Sequence, residues 1–117
     1  MLQTTLHDYD GVTVVAPRGD IDAEVAFEFR QVMNQALERG AHLLLVDMAD
    51  VRFLDSAGLA VLVGTHRHLA AGQRLALGNV PPRMQRVLHE TAMNKLMDIH
   101  AAGDPWPWPE VPARPAS

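Results

Sequence analysis

The chain contains no cysteine, which excludes disulfide bonds, thiolate metal sites and cysteine nucleophiles. Its longest apolar runs, HLLLVDM and GLAVLVG, are far shorter than the about 20 residues that cross a bilayer. It also lacks a run of basic residues. The 10 Lys and Arg are outnumbered by 14 Asp and Glu, and the net charge is −4. We therefore expect no membrane insertion and no direct binding of nucleic acid.

The N-terminal segment MLQTTLHDYDG has no basic stretch followed by an apolar one, so it does not resemble a secretory signal peptide. Nothing in the composition indicates an oxidising compartment, and we expect a soluble, cytoplasmic protein. The length of 117 residues suits one domain with one hydrophobic core.

Apolar residues recur in a pattern that predicts strands alternating with helices. Gly11 is expected to supply a positive φ in a hairpin turn, Asp22 to cap the first helix and Gly40 to end it. The continuous apolar run 41 to 48 predicts a strand covered on both faces by helices. We predict strands at 2 to 7, 11 to 19, 41 to 48, 74 to 80 and 95 to 100, and helices at 22 to 40, 56 to 72 and 81 to 93.

This order predicts an α/β fold in which helices pack on a central mixed sheet of four to five strands, largely parallel after the first hairpin. The domain is expected to cover residues 1 to 100. Residues 101 to 117 carry five of the eight prolines and are expected to form an extended or disordered tail. Trp106 and Trp108 in that tail could still dock on the body or on a partner.

The segment DVRFLDSAGLAVLVG, residues 50 to 64, interrupts an apolar run with polar and small side chains. Its apolar residues, Phe53 among them, indicate core, yet Asp55 and Ser56 fall where a strand gives way to a helix. One interpretation is that Asp55 or Ser56 caps the helix, while Gly58 permits close packing of the backbone.

Two further interpretations stay open. A helix N-terminus tolerates added negative charge, so a phosphoserine at Ser56 would leave the fold intact but disrupt a partner docked over it. The small neighbours Ala57 and Gly58 would let a kinase or partner reach the hydroxyl. Alternatively Ser56 could be a nucleophile, which requires a histidine within hydrogen-bond reach and an open pocket.

The same segment resembles the signature of STAS domains, and most closely that of bacterial anti-sigma factor antagonists. RGDIDAEVAFEFR resembles the family's second marker, with Gly19 to Asp22 ahead of the first helix. AAGQRLALGNVPPRMQRVLHETAM resembles its late strand and helix, and the likeness spans about residues 2 to 100.

The resemblance implies a STAS fold and a binding switch without catalytic activity. Such a protein binds an anti-sigma factor that is also a serine kinase, and so releases the sigma factor. Phosphorylation of the serine, here Ser56, ends binding, and a phosphatase restores it. The implied partner-binding residues are Asp20, Asp22, Asp55, Ser56, Ala57, Gly58 and Leu59.

Three positions depart from the usual markers: Ala57 replaces a second hydroxyl, Ala60 a glycine and Asp20 a glutamate. DSAGLA also occurs in STAS subunits of membrane lipid-transport complexes, which bind an ABC-type ATPase, so that function is the alternative. No metal or cofactor is expected. His66 and His68 lie two residues apart on a predicted helix and point in different directions, and no glycine loop has phosphate-binding spacing.

Overall fold

Strands and helices alternate along residues 1 to 113, the part of the chain that this computed structural model describes. The helices are α1 (Ala26–Glu38), α2 (Ser56–Arg67) and α3 (Pro82–Glu90), with a short 3₁₀ helix at Met93–Lys95. The strands are β1 (Gln3–Tyr9), β2 (Val12–Ile21), β3 (Leu43–Asp47), β4 (Val51–Leu54), β5 (Arg74–Val80) and β6 (Asp98–Ala101).

The sheet is mixed, as the sequence predicts. β1 and β2 form an antiparallel hairpin, with Tyr9 opposite Val12 and Gly11 at a φ of 73° in the turn. The other pairs are parallel, and the strand order is β1-β2-β3-β5-β6. β4 lies off this path and pairs with the end of β2. The sheet thus has six strands, one more than the upper limit of the prediction.

The additional strand is β4: the sequence places Asp55 and Ser56 at the end of a strand but predicts no separate strand over residues 51 to 54. Only its first and last residues, Val51 and Leu54, are buried, so it shows neither alternation nor a continuous apolar run. It follows β3 after a short loop and continues along β2, where Asp20 lies opposite Phe53 and Ile21 opposite Leu54. Phe53, expected in the core, is 52% exposed.

All three helices pack on one face of the sheet, so the expectation that β3 is covered by helices on both faces is wrong. Leu44 and Val46 of β3 face the helices, whereas Leu43 and Leu45 face the other side. That second face is covered by the tail, where Trp108 and Val111 are buried. A continuous apolar run shows that both faces are covered but not by which element.

We call residues 105 to 111 the strap. Trp106 and Trp108 pack edge to face with ring centroids 4.8 Å apart, and the Trp106 indole nitrogen donates to the Val111 carbonyl at 2.9 Å. The other ring contact of Trp108 is with His100 at 4.7 Å. The strap contains no helix or strand, but its side chains are seated on the sheet. Residues 114 to 117 of the predicted tail lie outside the described residues.

Two helix boundaries differ from the prediction. Asp22 does not cap α1, which begins at Ala26 behind Val25, a residue with no capping side chain. Asp22 instead accepts a hydrogen bond from the Glu24 backbone at 3.0 Å and closes a turn before the helix. α2 ends at Arg67 rather than near Gly72. In residues 1 to 113 no helix is long and apolar enough to span a bilayer.

Candidate protein-binding and phosphorylation site

Asp55 fixes the local geometry of the interrupted apolar run. Its Oδ1 accepts hydrogen bonds from the backbone nitrogens of Ala57 at 2.9 Å and Gly58 at 3.1 Å, which makes it the N-cap of α2. Its own backbone nitrogen donates to the Ile21 carbonyl at 3.2 Å. The capping interpretation is therefore confirmed, with Asp55 rather than Ser56 as the cap.

Ser56 is the first residue of α2 and is exposed. Within the described residues its hydroxyl is not hydrogen-bonded, and the N–H groups of Ala57 and Gly58 donate to Asp55. No histidine of residues 1 to 113 is hydrogen-bonded to it either, so the geometry offers no support for the nucleophile interpretation. The hydroxyl is open to an enzyme or to a partner surface.

Gly58 lets the first turn of α2 lie directly on the ends of β2 and β4. A methyl group added at this position would lie 2.5 Å from Leu54 Cδ1 and 3.0 Å from the Ile21 carbonyl oxygen. Real side chains do not approach that closely, so the position excludes any larger residue without movement. Leu59 is partly buried and packs against the helix-side core. The apolar residues after Asp55 thus hold α2 against the core, while Ser56 stays at the surface.

The loop before α1 belongs to the same surface. Asp55 Oδ2 accepts a hydrogen bond from the backbone nitrogen of Ala23 at 3.1 Å, which holds the loop carrying Asp22 against the start of α2. Asp20 lies opposite Phe53 in the sheet and pairs with Arg52 at 3.4 Å. All seven residues suggested by the family markers therefore lie around one end of α2. That they bind a partner stays a prediction.

Two aromatic side chains near this end are exposed and were not identified from the sequence. Phe53 is 52% exposed, and Phe27 in the first turn of α1 is 68% exposed. Phe27 lies outside the apolar stripe of α1, whose buried residues are Phe29, Met33 and Ala36, and that position is the one signal in the sequence that distinguishes it. Large exposed aromatic residues are typical of protein-binding surfaces.

Comparison with known proteins agrees with this fold. The STAS domain model matches residues 3–104. The chain is 33% identical over 87 residues to the anti-sigma-B factor antagonist of Bacillus subtilis, covering 74% of this chain and 79% of the relative. It is 28% identical over 102 residues to the anti-sigma F factor antagonist of Paenibacillus polymyxa, covering 85% and 86%.

Among solved structures, the chain resembles an anti-sigma factor antagonist from Mycobacterium paratuberculosis, with a TM-score of 0.80 and 28% identity over 86% of each chain. The chain therefore belongs to the STAS domain family. Within that family, these relatives are all named as antagonists of anti-sigma factors.

Proposed function

We propose that this chain is an anti-sigma factor antagonist whose binding is switched off by phosphorylation of Ser56. It binds an anti-sigma factor that is also a serine kinase and thereby releases the sigma factor, and a phosphatase restores the binding form. The names of its relatives support this function over the alternative of a transporter subunit. The observation that carries it is the exposed Ser56 hydroxyl, which makes no hydrogen bond within residues 1 to 113 and lies beside the fixed carboxylate of Asp55.

Phosphorylation at this position acts on binding and not on folding. A phosphate on Ser56 adds about −1.5 to −2 charges at the positive end of α2, where the helix dipole favours negative charge. A partner docked over the same residue would have to bury that phosphate next to Asp55, and burying two anionic groups without partners is costly. A 100-fold loss of affinity corresponds to only about 2.7 kcal/mol.

The rest of the proposed binding surface is Asp20, Asp22, Asp55, Ala57, Gly58 and Leu59. Ala57 stands where the family marker often has a second hydroxyl, so Ser56 is the one phosphate acceptor in this segment of the signature. We place the protein in the cytoplasm, where it would meet an anti-sigma factor.

The test uses the serine-kinase anti-sigma factors of the source organism, each purified and titrated with the chain by calorimetry. We expect wild type and Ser56→Ala to bind one of them with similar affinity, and Ser56→Asp to bind at least 10-fold more weakly. Incubation with that kinase and ATP should add one phosphate to wild type, detected by intact mass, and none to Ser56→Ala.

Thr5→Ala is the matched control, since it removes an exposed hydroxyl on β1 and should leave both readouts unchanged. The switch is wrong if Ser56→Ala still gains a phosphate, or if Ser56→Asp binds as tightly as wild type. Binding by no anti-sigma factor of the organism would overturn the proposed function itself.

A further inference from the structure

Gly64 lies within α2, where glycine destabilises a helix relative to alanine. A fold requires glycine at a position with positive φ or at one without room for a Cβ atom. Gly64 meets neither condition, because its φ is not positive and an added Cβ would have no heavy atom within 4 Å apart from its chain neighbours and the adjacent backbone of its own helix. Gly58 in the same helix has no room for a Cβ atom, whereas Gly64 has that room. Packing within the chain therefore does not explain Gly64.

Gly64 lines a groove of about 560 Å³ between α1 and α2. Ala60 and Val61 line it from α2, and Leu37 lines it from α1. Its lining also includes Arg30 and Glu38, which lie two turns apart on α1. Asn34, Thr65 and His68 complete the lining. The groove is thus a channel with an apolar strip and polar borders, and it has a positive charge near one end and a negative charge near the other.

The groove continues into the surface around Ser56. Ser56, Ala60 and Gly64 are spaced by four residues and so lie on one stripe of α2. On α1, Phe27 and Asn34 are seven residues apart and share a face, which places the exposed Phe27 ring at the same end of the groove as Ser56. The Asp55–Ala23 hydrogen bond joins the loop before α1 to the start of α2 there.

We propose that this groove receives one amphipathic helix of the anti-sigma factor, with Gly64 at the point of closest approach. The proposal rests on the proposed function and names the part of the partner that is bound. A helix is the occupant because a channel along two helices matches the shape of a third. Its apolar face would lie over Ala60 and Gly64, with an acidic residue toward Arg30 and a basic residue toward Glu38.

The test compares Gly64→Leu with Gln35→Leu, which adds the same side chain to an exposed position of α1 that does not line the groove. Each is titrated with the serine-kinase anti-sigma factor that binds wild type. We expect Gly64→Leu to bind at least 10-fold more weakly and Gln35→Leu to stay within threefold of wild type. Arg30→Glu should also weaken binding, because it reverses the charge offered to the helix.

Gly64→Ala checks the premise without a partner. If the fold does not need this glycine, the alanine variant should melt about 3 to 6 °C higher than wild type. A lower melting temperature would overturn the premise, as would Gly64→Leu binding as tightly as wild type. If Gly64→Leu instead converts a self-associated wild type into monomer on a sizing column, the occupant is a second copy and the proposal is wrong.

These outcomes separate the two proposals. Loss of affinity on Ser56→Asp with none on Gly64→Leu would retain the switch and overturn the groove. Failure of wild type to bind any serine-kinase anti-sigma factor would overturn the proposed function, and the choice of partner here with it.

Discussion

One carboxylate oxygen of Asp55 lies 3.1 Å from the backbone nitrogen of Ala23, which is 32 residues earlier in the chain. The other oxygen caps α2 through Ala57 and Gly58. The residue next to the proposed phosphorylation site therefore has a structural role that is independent of any partner: it holds the loop before α1 against the start of α2.

Asp55→Ala should lower the free energy of unfolding by about 2 kcal/mol, since it removes both the cap and the bond to Ala23. Asp55→Asn should lose about 1 kcal/mol, because its amide oxygen can still cap α2 while its NH₂ group cannot accept from Ala23. Urea denaturation followed by circular dichroism measures both. An Asp55→Asn variant as stable as wild type would show that the bond to Ala23 does not contribute, whereas equal losses in the two variants would show that the cap does not.

Ser56→Glu should leave stability within about 0.5 kcal/mol of wild type. The added charge is favoured by the helix N-terminus and opposed by the nearby Asp55 carboxylate, and both effects are small at an exposed position. Thermal melting of the two proteins measures the difference. If the free energy of unfolding falls by more than about 2 kcal/mol, phosphorylation acts by unfolding α2, contrary to the proposed switch.

Gly58→Ala should destabilise the fold by about 1 to 3 kcal/mol, because the new methyl group meets Leu54 and the Ile21 carbonyl. The gain in helix propensity is smaller than this steric cost. The measurement is urea denaturation, with Gly64→Ala in the same helix as the control of opposite sign. A Gly58→Ala variant as stable as wild type would show that α2 is free to shift off β2 and β4.

Trp108→Ala should lower stability by about 3 to 5 kcal/mol, as expected when a large buried aromatic side chain is removed. Trp106 is only partly buried and its replacement should cost less. Leu96→Ala, at a position 42% exposed, is the control and should change stability little. If Trp108→Ala unfolds at the same urea concentration as wild type, the strap does not pack on the sheet in solution.

The sequence predicts most elements because each long element carries its own hydrophobic period. β5 is found at the predicted residues 74 to 80, and α1 and α3 end within a few residues of their predicted limits. β4 escapes prediction, since its partner lies 30 or more residues away on β2 and its four residues have no period of their own. Strand pairing over that distance is a property of the folded chain.

The features of the site likewise divide into those that the local sequence predicts and those that depend on the folded chain. Asp55 as a cap is a local feature, and a short polar side chain before a helix predicts it directly. The approach of Asp20 and Asp22 to Asp55 depends on the β2–β4 pairing, and the resemblance to a family suggested it where spacing did not. The exposure of Phe53 and the burial of Trp108 depend on which elements cover each face of the sheet. Composition does not encode that arrangement.

The two tryptophans of the chain, Trp106 and Trp108, both belong to the strap, on the face of the sheet opposite α1, α2 and α3. Intrinsic tryptophan fluorescence is therefore a local reporter of one surface. The fluorescence will change when the strap is released from the sheet, and it will change little when a partner binds at Ser56. A fluorescence melt that precedes the far-ultraviolet circular dichroism melt would reveal a chain that uncovers one face of its sheet before it loses its helices.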